Sequence, residues 1–281
     1  MSTQVIEKIE TLQQQVRVWK AAGERVGFVP TMGNLHAGHL SLVDALMPCC
    51  DRLVVSVFVN PLQFGPSEDF ERYPRTFDAD RAALEAAGVD VMFHPAVEAM
   101  YPTWPQATRV LAAPELAARW EGASRPGHFD GVATVVSKLF NIVQPDAAAF
   151  GQKDFQQLRI IETMVAELNY PIEIVRVPIA READGLAMSS RNQYLDARQR
   201  AIAPQLNATL TWAAAQLRSG VVPQIVQEQA QARLLKAGFD QVDYFALCDQ
   251  ATLAPTQVVD NAILLAAARL GSTRLLDNLL L

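Results

Sequence analysis

Two imidazoles three residues apart, His36 and His39, stand with Gly38 in the run Pro30-Thr31-Met32-Gly33-Asn34-Leu35-His36-Ala37-Gly38-His39. On a helix such a pair projects from one face, roughly 60° apart. Gly38 has no side chain, so a flat base can lie against the backbone there. Val26–Val29 reads as a short buried strand that Pro30 ends, and Thr31 to Asn34 as a glycine turn. Leu40, Leu42, Val43 and Leu46 then mark the apolar face of a helix. A strand, a turn and a helix start bring orphan N–H groups and the positive end of the helix dipole to one point, a place to hold phosphate. Histidines at that point suit stabilisation of charge on phosphate oxygens. Two helix-start histidines are also compatible with one exposed ring and one satisfied by a carbonyl.

A second stretch, Phe150-Gly151-Gln152-Lys153-Asp154-Phe155-Gln156-Gln157, again leads from strand through glycine into helix. Lys153 is a mobile cation suited to phosphate. Asp154 suits either of two tasks, capping the helix or holding ribose hydroxyls. Gln157 lies one turn on and faces the same way as Lys153. A third stretch, Asp184-Gly185-Leu186-Ala187-Met188-Ser189-Ser190-Arg191-Asn192, sets two hydroxyls beside a guanidinium, a phosphate-binding combination that is equally a common surface turn.

The elements around these stretches follow from periodicity. Ile6, Ile9, Leu12, Val16 and Trp19 predict a helix over Val5 to Ala22. Leu53 to Val59 is a continuous apolar run, as in a parallel strand buried on both faces, and it empties into Asn60-Pro61-Leu62-Gln63-Phe64-Gly65. Open α/β sheets bind ligands beyond the carboxyl ends of their strands, so that loop is expected in the crevice of His36 and His39. A helix from Thr76 to Ala87, a strand from Val89 to Phe93 and an ordered loop from His94 to Thr108 come next. Asp130–Val143 and Asp154–Leu168 read as helices, alternating with strands at Asp146–Phe150 and Ile172–Val177. That alternation predicts an α/β fold with a Rossmann-like, doubly wound parallel sheet. After Pro178 the composition changes. Helices over Asp196–Ser219 and Val222–Lys236 precede strands at Val242–Leu247, Ala262–Ala268 and Arg274–Leu280. The expected organisation is a first domain of residues 1–178 and a smaller C-terminal α+β lid domain of residues 179–281 carrying the Met188–Asn192 loop.

Composition removes several function classes. Of 281 residues, 50% are hydrophobic and 19% charged, which is ordinary for a globular chain long enough for two domains. The net charge of −6 argues against a nucleic-acid partner, since no cation excess is available for phosphates. There is neither a basic-flanked apolar N-terminus nor an apolar run near the about 20 residues that span a bilayer, so no membrane partner is expected and the location is expected to be cytoplasmic. Cys49, Cys50 and Cys248 lack metal-ligand spacing and are expected to be reduced thiols.

The His-x-Gly-His run resembles the signature of the nucleotidyltransferase superfamily, and Met188-Ser189-Ser190-Arg191-Asn192 resembles its triphosphate loop with Arg191 as sole cation. Pro30 to His39, Phe58-Val59-Asn60-Pro61-Leu62-Gln63-Phe64, Tyr73-Pro74-Arg75-Thr76, Glu121-Gly122-Ala123-Ser124-Arg125-Pro126-Gly127-His128-Phe129, Phe150 to Gln157 and Met188 to Asn192 occur in that order. Together, from Val26 to Asn278, they resemble the pantothenate synthetase (pantoate–β-alanine ligase) family. The resemblance implies ATP-dependent condensation of (R)-pantoate with β-alanine through pantoyl adenylate, giving pantothenate, AMP and pyrophosphate, with ATP as co-substrate and Mg²⁺ on its phosphates. It implies ATP contacts from Met32, Gly33, Asn34, Leu35, His36, Ala37, Gly38 and His39. Further ATP contacts are implied for Gly151, Gln152, Lys153, Asp154, Ala180, Met188, Ser189, Ser190 and Arg191. His39, His36, Lys153 and Arg191 take the catalytic roles, Gln63 and Gln157 hold pantoate, and Gln63 also meets β-alanine. Asp80 is the metal contributor, through water. Arg125 and His128 are active-site neighbours without assigned roles, Arg125 being open to a loop-anchoring task instead. A homodimer is implied as well. Gln152 stands where many members carry Glu, and Ala79 interrupts an acidic stretch, which weakens the metal assignment. The alternatives are a cytidylyltransferase-like relative, which needs no paired glutamines, and a nucleotide sensor, which need not keep Lys153 or both histidines.

Overall fold

The computed structural model describes residues 2–66, Glu68 and residues 70–281. The chain forms two compact units, one of the residues up to Gln152 with Gln157–Val177, the other of Lys153–Gln156 with Pro178–Leu281.

In the first unit the elements run β1 (Gln4–Ile6), α1 (Ile9–Ala21), β2 (Val26–Thr31), α2 (Ala37–Leu46), β3 (Arg52–Val57), α3 (Phe77–Ala86) and β4 (Val91–Phe93). Three short helices follow, α4 (Val97–Met100), α5 (Pro114–Ala117) and α6 (Trp120–Ser124). Then come α7 (His128–Val143), β5 (Ala147–Gly151), α8 (Phe155–Glu167), whose first two residues belong to the second unit, and β6 (Glu173–Val177). The sheet order is β1-β4-β3-β2-β5-β6, with every pairing parallel. This is the expected doubly wound α/β arrangement. Strand order reverses between β2 and β5, the place where such sheets bind ligands. The two strands that end in the first and second candidate motifs are therefore neighbours. Leu53, Val54, Val55 and Val57 of β3 are all at most 5% exposed, each worth about 1.5–3 kcal/mol against leaving it in water. Ala147, Ala148 and Ala149 of β5 are fully buried, small enough for α2 to pack on that strand.

The structure corrects four local expectations. Val5 and Ile6 belong to β1, not to the first helix, which starts at Ile9. Ile6 is buried through sheet pairing with Phe93, so its apolar spacing with α1 is a coincidence of phase. β2 continues through Pro30 to Thr31. Proline is tolerated because the β5 ladder covers only Gly27 and Phe28. The 94–108 segment contains the helical turn α4.

The fourth correction lies in the second unit. The single helix expected over Asp196–Ser219 is two, α9 (Ala197–Ile202) and α10 (Gln205–Arg218), parted at Pro204, which lacks the N–H a continuous helix needs. α11 (Pro223–Ala237) starts with proline at its first position and stops at Gly238, whose φ of 110° favours glycine. The strands β7 (Gln241–Asp249), β8 (Ala262–Leu270) and β9 (Thr273–Leu280) form an antiparallel sheet in chain order. Ala262, Leu264, Ala266, Ala268 and Leu270 alternate along β8 to pack one face against Leu206, Leu210, Val226 and Leu234. Among the described residues no helix is long and apolar enough to cross a membrane.

Candidate functional site

β2 ends at Thr31, whose hydroxyl donates to the Ser56 carbonyl at 2.7 Å and accepts the Gly33 N–H at 3.2 Å. Gly33 and Asn34 then turn with φ of 82° and 52°, conformations glycine adopts freely and asparagine better than most residues. A Cβ on Gly33 would stand 2.9 Å from an Asp80 oxygen and from Val57 Cγ1. This turn delivers His36 as the N-cap of α2, in extended conformation, so His36 precedes the helix and does not ride on it. His36 and His39 nevertheless come together through a capping box. His36 Nδ1 accepts the Gly38 N–H at 3.1 Å, and His39 Nδ1 accepts the His36 N–H at 3.3 Å. The ring centroids are 4.1 Å apart. Each ring that accepts at Nδ1 carries its proton at Nε2. The helix cap thus sets the tautomer of both histidines and presents two ring N–H donors at a helix N-terminus.

Asp80, 2% exposed in α3, holds this turn from beneath. Its two oxygens accept the Asn34 and Leu35 N–H groups at 3.0 and 2.8 Å, and the Thr76 hydroxyl donates to it at 3.1 Å. The residue expected to reach a metal through water thus anchors the Gly33–Asn34 turn. Among the described residues no group of three or more His, Cys, Asp or Glu is arranged to hold a metal ion. Asp80→Ala strands two main-chain donors, an expected loss of about 1–3 kcal/mol. A thermal melt checks this, and an unchanged midpoint contradicts the anchoring.

The turn after β3 is a 3-10 helix, Pro61–Gln63, capped by Asn60. Asn60 is 1% exposed and was not assigned a role from sequence, although an Asn-Pro pair after a buried strand is a turn signal. Its Oδ1 accepts the Leu62 N–H and the Tyr101 hydroxyl, and its Nδ2 donates to the Gly131 carbonyl and to Gln63 Oε1, both at 3.1 Å. Burial pushes the Tyr101 phenol above its ordinary pKa, so it stays the donor in that bond. Gln63 Nε2 donates to Met32 Sδ at 3.0 Å, which joins the expected pantoate residue to the residue before the Gly33–Asn34 turn. Gln157, the second expected pantoate residue, sits half-buried on α8. Arg125 and His128 lie against the main chain of Gln63.

In the second unit, residues expected from two separate stretches meet. Lys153, Ser189, Arg191 and Asn192 line one small cavity with Arg274 and Asp277. Lys153 is in a 3-10 turn, Gln152–Asp154, that follows Gly151 at the end of β5, with its ammonium 3.5 Å from Asp154. Its carbonyl accepts from Asn278 Nδ2 at 2.9 Å. The Met188 N–H donates to the Ala180 carbonyl at 2.9 Å, tying the expected adenine contact to the Met188–Asn192 loop. Ser189 caps the 3-10 turn Ser190–Tyr194 by accepting the Arg191 N–H. Arg181, bridged to Ala187 just before this loop, makes a two-pronged pair to buried Asp277, at 2.7 and 2.9 Å. Asn278 and Asp277 are further residues that sequence reasoning passed over, because their partners lie far away along the chain.

The family model for pantoate-beta-alanine ligase matches residues 4–280. The pantothenate synthetase of Hydrogenovibrio crunogenus is 50% identical over 282 residues, covering 98% of each chain. The crystal structure of pantothenate synthetase from Thermus thermophilus superposes with a TM-score of 0.92 at 46% identity and covers 99% of both chains. That of pantoate-beta-alanine ligase from Francisella tularensis, complexed with beta-gamma ATP and beta-alanine, gives 0.82 at 31% identity, over 99% of this chain and 98% of that one. A match of this extent in sequence and in fold places the chain in one family: it belongs to the pantoate–β-alanine ligases.

Proposed function

We propose that this ligase works by adenylation. The pantoate carboxylate attacks the α-phosphorus of ATP, pyrophosphate leaves, and pantoyl adenylate forms. The β-alanine amine then attacks the acyl carbon, AMP leaves with the bond electrons, and the amine proton passes to solvent. The observation that carries this reading is the capping box, which fixes two Nε2–H donors at the N-terminus of α2, beside the point where strand order reverses. Such donors are worth most where charge peaks, on the phosphate oxygens of the transition state. The Francisella tularensis protein, complexed with beta-gamma ATP and beta-alanine, supports the same substrates here.

In this reading Met32 to His39, with Gly151 and Gln152, receive the nucleotide. Lys153, Ser189, Ser190 and Arg191 neutralise the triphosphate, Asp154 takes the ribose, and the main chain of Ala180 and Met188 meets the adenine. Gln63 and Gln157 bind the pantoate hydroxyls and carboxylate without adding charge, so the nucleophile stays reactive. Gln63 also meets β-alanine. Mg²⁺ bound on the triphosphate would supply charge neutralisation there. Residues 179–281 serve as the lid domain, and the protein acts as a cytoplasmic homodimer.

Pantoate-dependent exchange of labelled pyrophosphate into ATP, with Mg²⁺ present and β-alanine absent, tests the first step. Exchange that requires pantoate is expected, followed by equal amounts of AMP and pantothenate once β-alanine is added. Exchange supported only by another acid or by a phosphate ester overturns the substrate assignment. No exchange with any acceptor favours a nucleotide sensor.

A further inference from the structure

Gln63 is held at both ends, and the second hold has no counterpart in the adenylation chemistry. Its side-chain oxygen is taken by Asn60. Its main-chain carbonyl accepts two more bonds, from His128 Nδ1 at 2.7 Å and from Arg125 Nη2 at 3.3 Å. Arg125 Nη1 lies 3.0 Å from His128 Nε2. A carbonyl can only accept and a guanidinium can only donate. His128 is therefore neutral, with its proton on Nδ1 facing Gln63 and its Nε2 lone pair facing Arg125. Glu68 completes the chain by accepting Arg125 Nε and Nη2 at 2.7 and 2.6 Å. Burial raises the Glu68 carboxyl, but the hydrogen bonds and charge of Arg125 outweigh it and hold the group below its ordinary value, so it remains the counter-ion.

The frame under this relay is closely packed. His128 is the first residue of α7, whose Gly131 lies so close to the 3-10 turn that a Cβ there would stand 2.2 Å from the Leu62 carbonyl oxygen. The Gly131 carbonyl in turn accepts from Asn60 Nδ2. A buried helix, a neutral imidazole and a paired guanidinium thus converge on one peptide unit.

We propose that His128 and Arg125 are positioning residues for pantoate, acting through the Gln63 carbonyl to fix the direction in which its amide meets the substrate. The proposal rests on the reading of Gln63 as a pantoate ligand. His128 Nδ1 is the operative atom, Arg125 sets its tautomer, and Glu68 keeps Arg125 in place.

The test uses the two amide replacements that imitate one ring nitrogen each. Asn puts its N–H near the position of Nδ1, and Gln puts its N–H near that of Nε2. Dissociation constants for pantoate and for ATP are measured by calorimetry on the full chain, with His128→Asn, His128→Gln, Arg125→Lys and Gln63→Ala. His128→Gln and Arg125→Lys are expected to weaken pantoate about tenfold or more while ATP changes by less than about threefold, since one hydrogen bond to a charged substrate is worth about that factor. His128→Asn should stay near the unmodified protein. If His128→Asn weakens pantoate as much as His128→Gln, or if ATP weakens in parallel, the relay is a structural contact and the proposal falls. Unchanged pantoate binding in His128→Gln and Arg125→Lys, beside a loss in Gln63→Ala, overturns the relay but leaves the Gln63 assignment standing. Unchanged binding in Gln63→Ala overturns that assignment and the relay with it. Should His128→Gln not fold, Arg125→Lys carries the same comparison.

Discussion

Replacing His39 with Asn is expected to leave the fold intact and remove most of the turnover. The His39 ring does two separable things. Its Nδ1 accepts the His36 N–H and closes the capping box. Its Nε2 then carries the proton that we assign to the phosphate oxygens. The Oδ1 of Asn falls near the position of Nδ1 and can keep the cap, since a capping box needs only a side-chain acceptor there for the N-cap N–H. Nothing in Asn replaces the Nε2–H. Loss of one preorganised donor to a developing anion costs about 10²–10³ in rate. His39→Asn should therefore lose pyrophosphate exchange by that factor with a melting temperature near that of the unmodified protein. His39→Ala should lose the rate and also about 1 kcal/mol of stability with the cap. Near-normal exchange in His39→Asn would show that the ring serves the helix alone.

The second large effect is expected at a residue that carries no functional group. Gly131 faces the main chain of the 3-10 turn, and an added Cβ would stand 2.2 Å from the Leu62 oxygen, 2.5 Å from its carbon and 2.7 Å from the Gln63 nitrogen. All three are backbone atoms, so no rotamer change relieves the overlap. Gly131→Ala is expected to cost about 1–3 kcal/mol or more, the range for overpacking a close contact. It should also displace Gln63 from Asn60 and from His128, so pantoate binding should fail before ATP binding does. Thermal denaturation and calorimetry on one preparation check both halves. A variant with native stability and native pantoate affinity would mean that α7 does not hold the turn.

Much of the candidate site is legible in the sequence because its signals are local. A buried strand, a glycine turn and a helix start within about a dozen residues read as a phosphate-binding unit around His36 and His39. The structure has that strand, turn and helix start, with the strand running on to Thr31 and His36 capping the helix. The alternation of strands and helices likewise predicts a parallel, doubly wound sheet. Two expectations fail for local reasons. Pro204 is a visible divider inside the long helical pattern, and Ile6 shares a phase with the helix that follows it.

The partners of Asp80, Asn60, Arg125 and Asn278 have no such signal. Asp80 reads as one more acid in an acidic helix start, and only folding brings it to the Asn34 and Leu35 amides. Asn278 reaches Lys153 across 125 residues, and Arg125 reaches the Gln63 carbonyl across 62. Likewise β1, three residues long, exists because β4 offers it a ladder. Most elements, the glycine turns that carry the candidate site and the family can be read from the chain alone, because propensity, periodicity and capping act between near neighbours. Which buried polar groups meet is settled by folding, because a hydrogen bond between distant residues depends on where the backbone carries them.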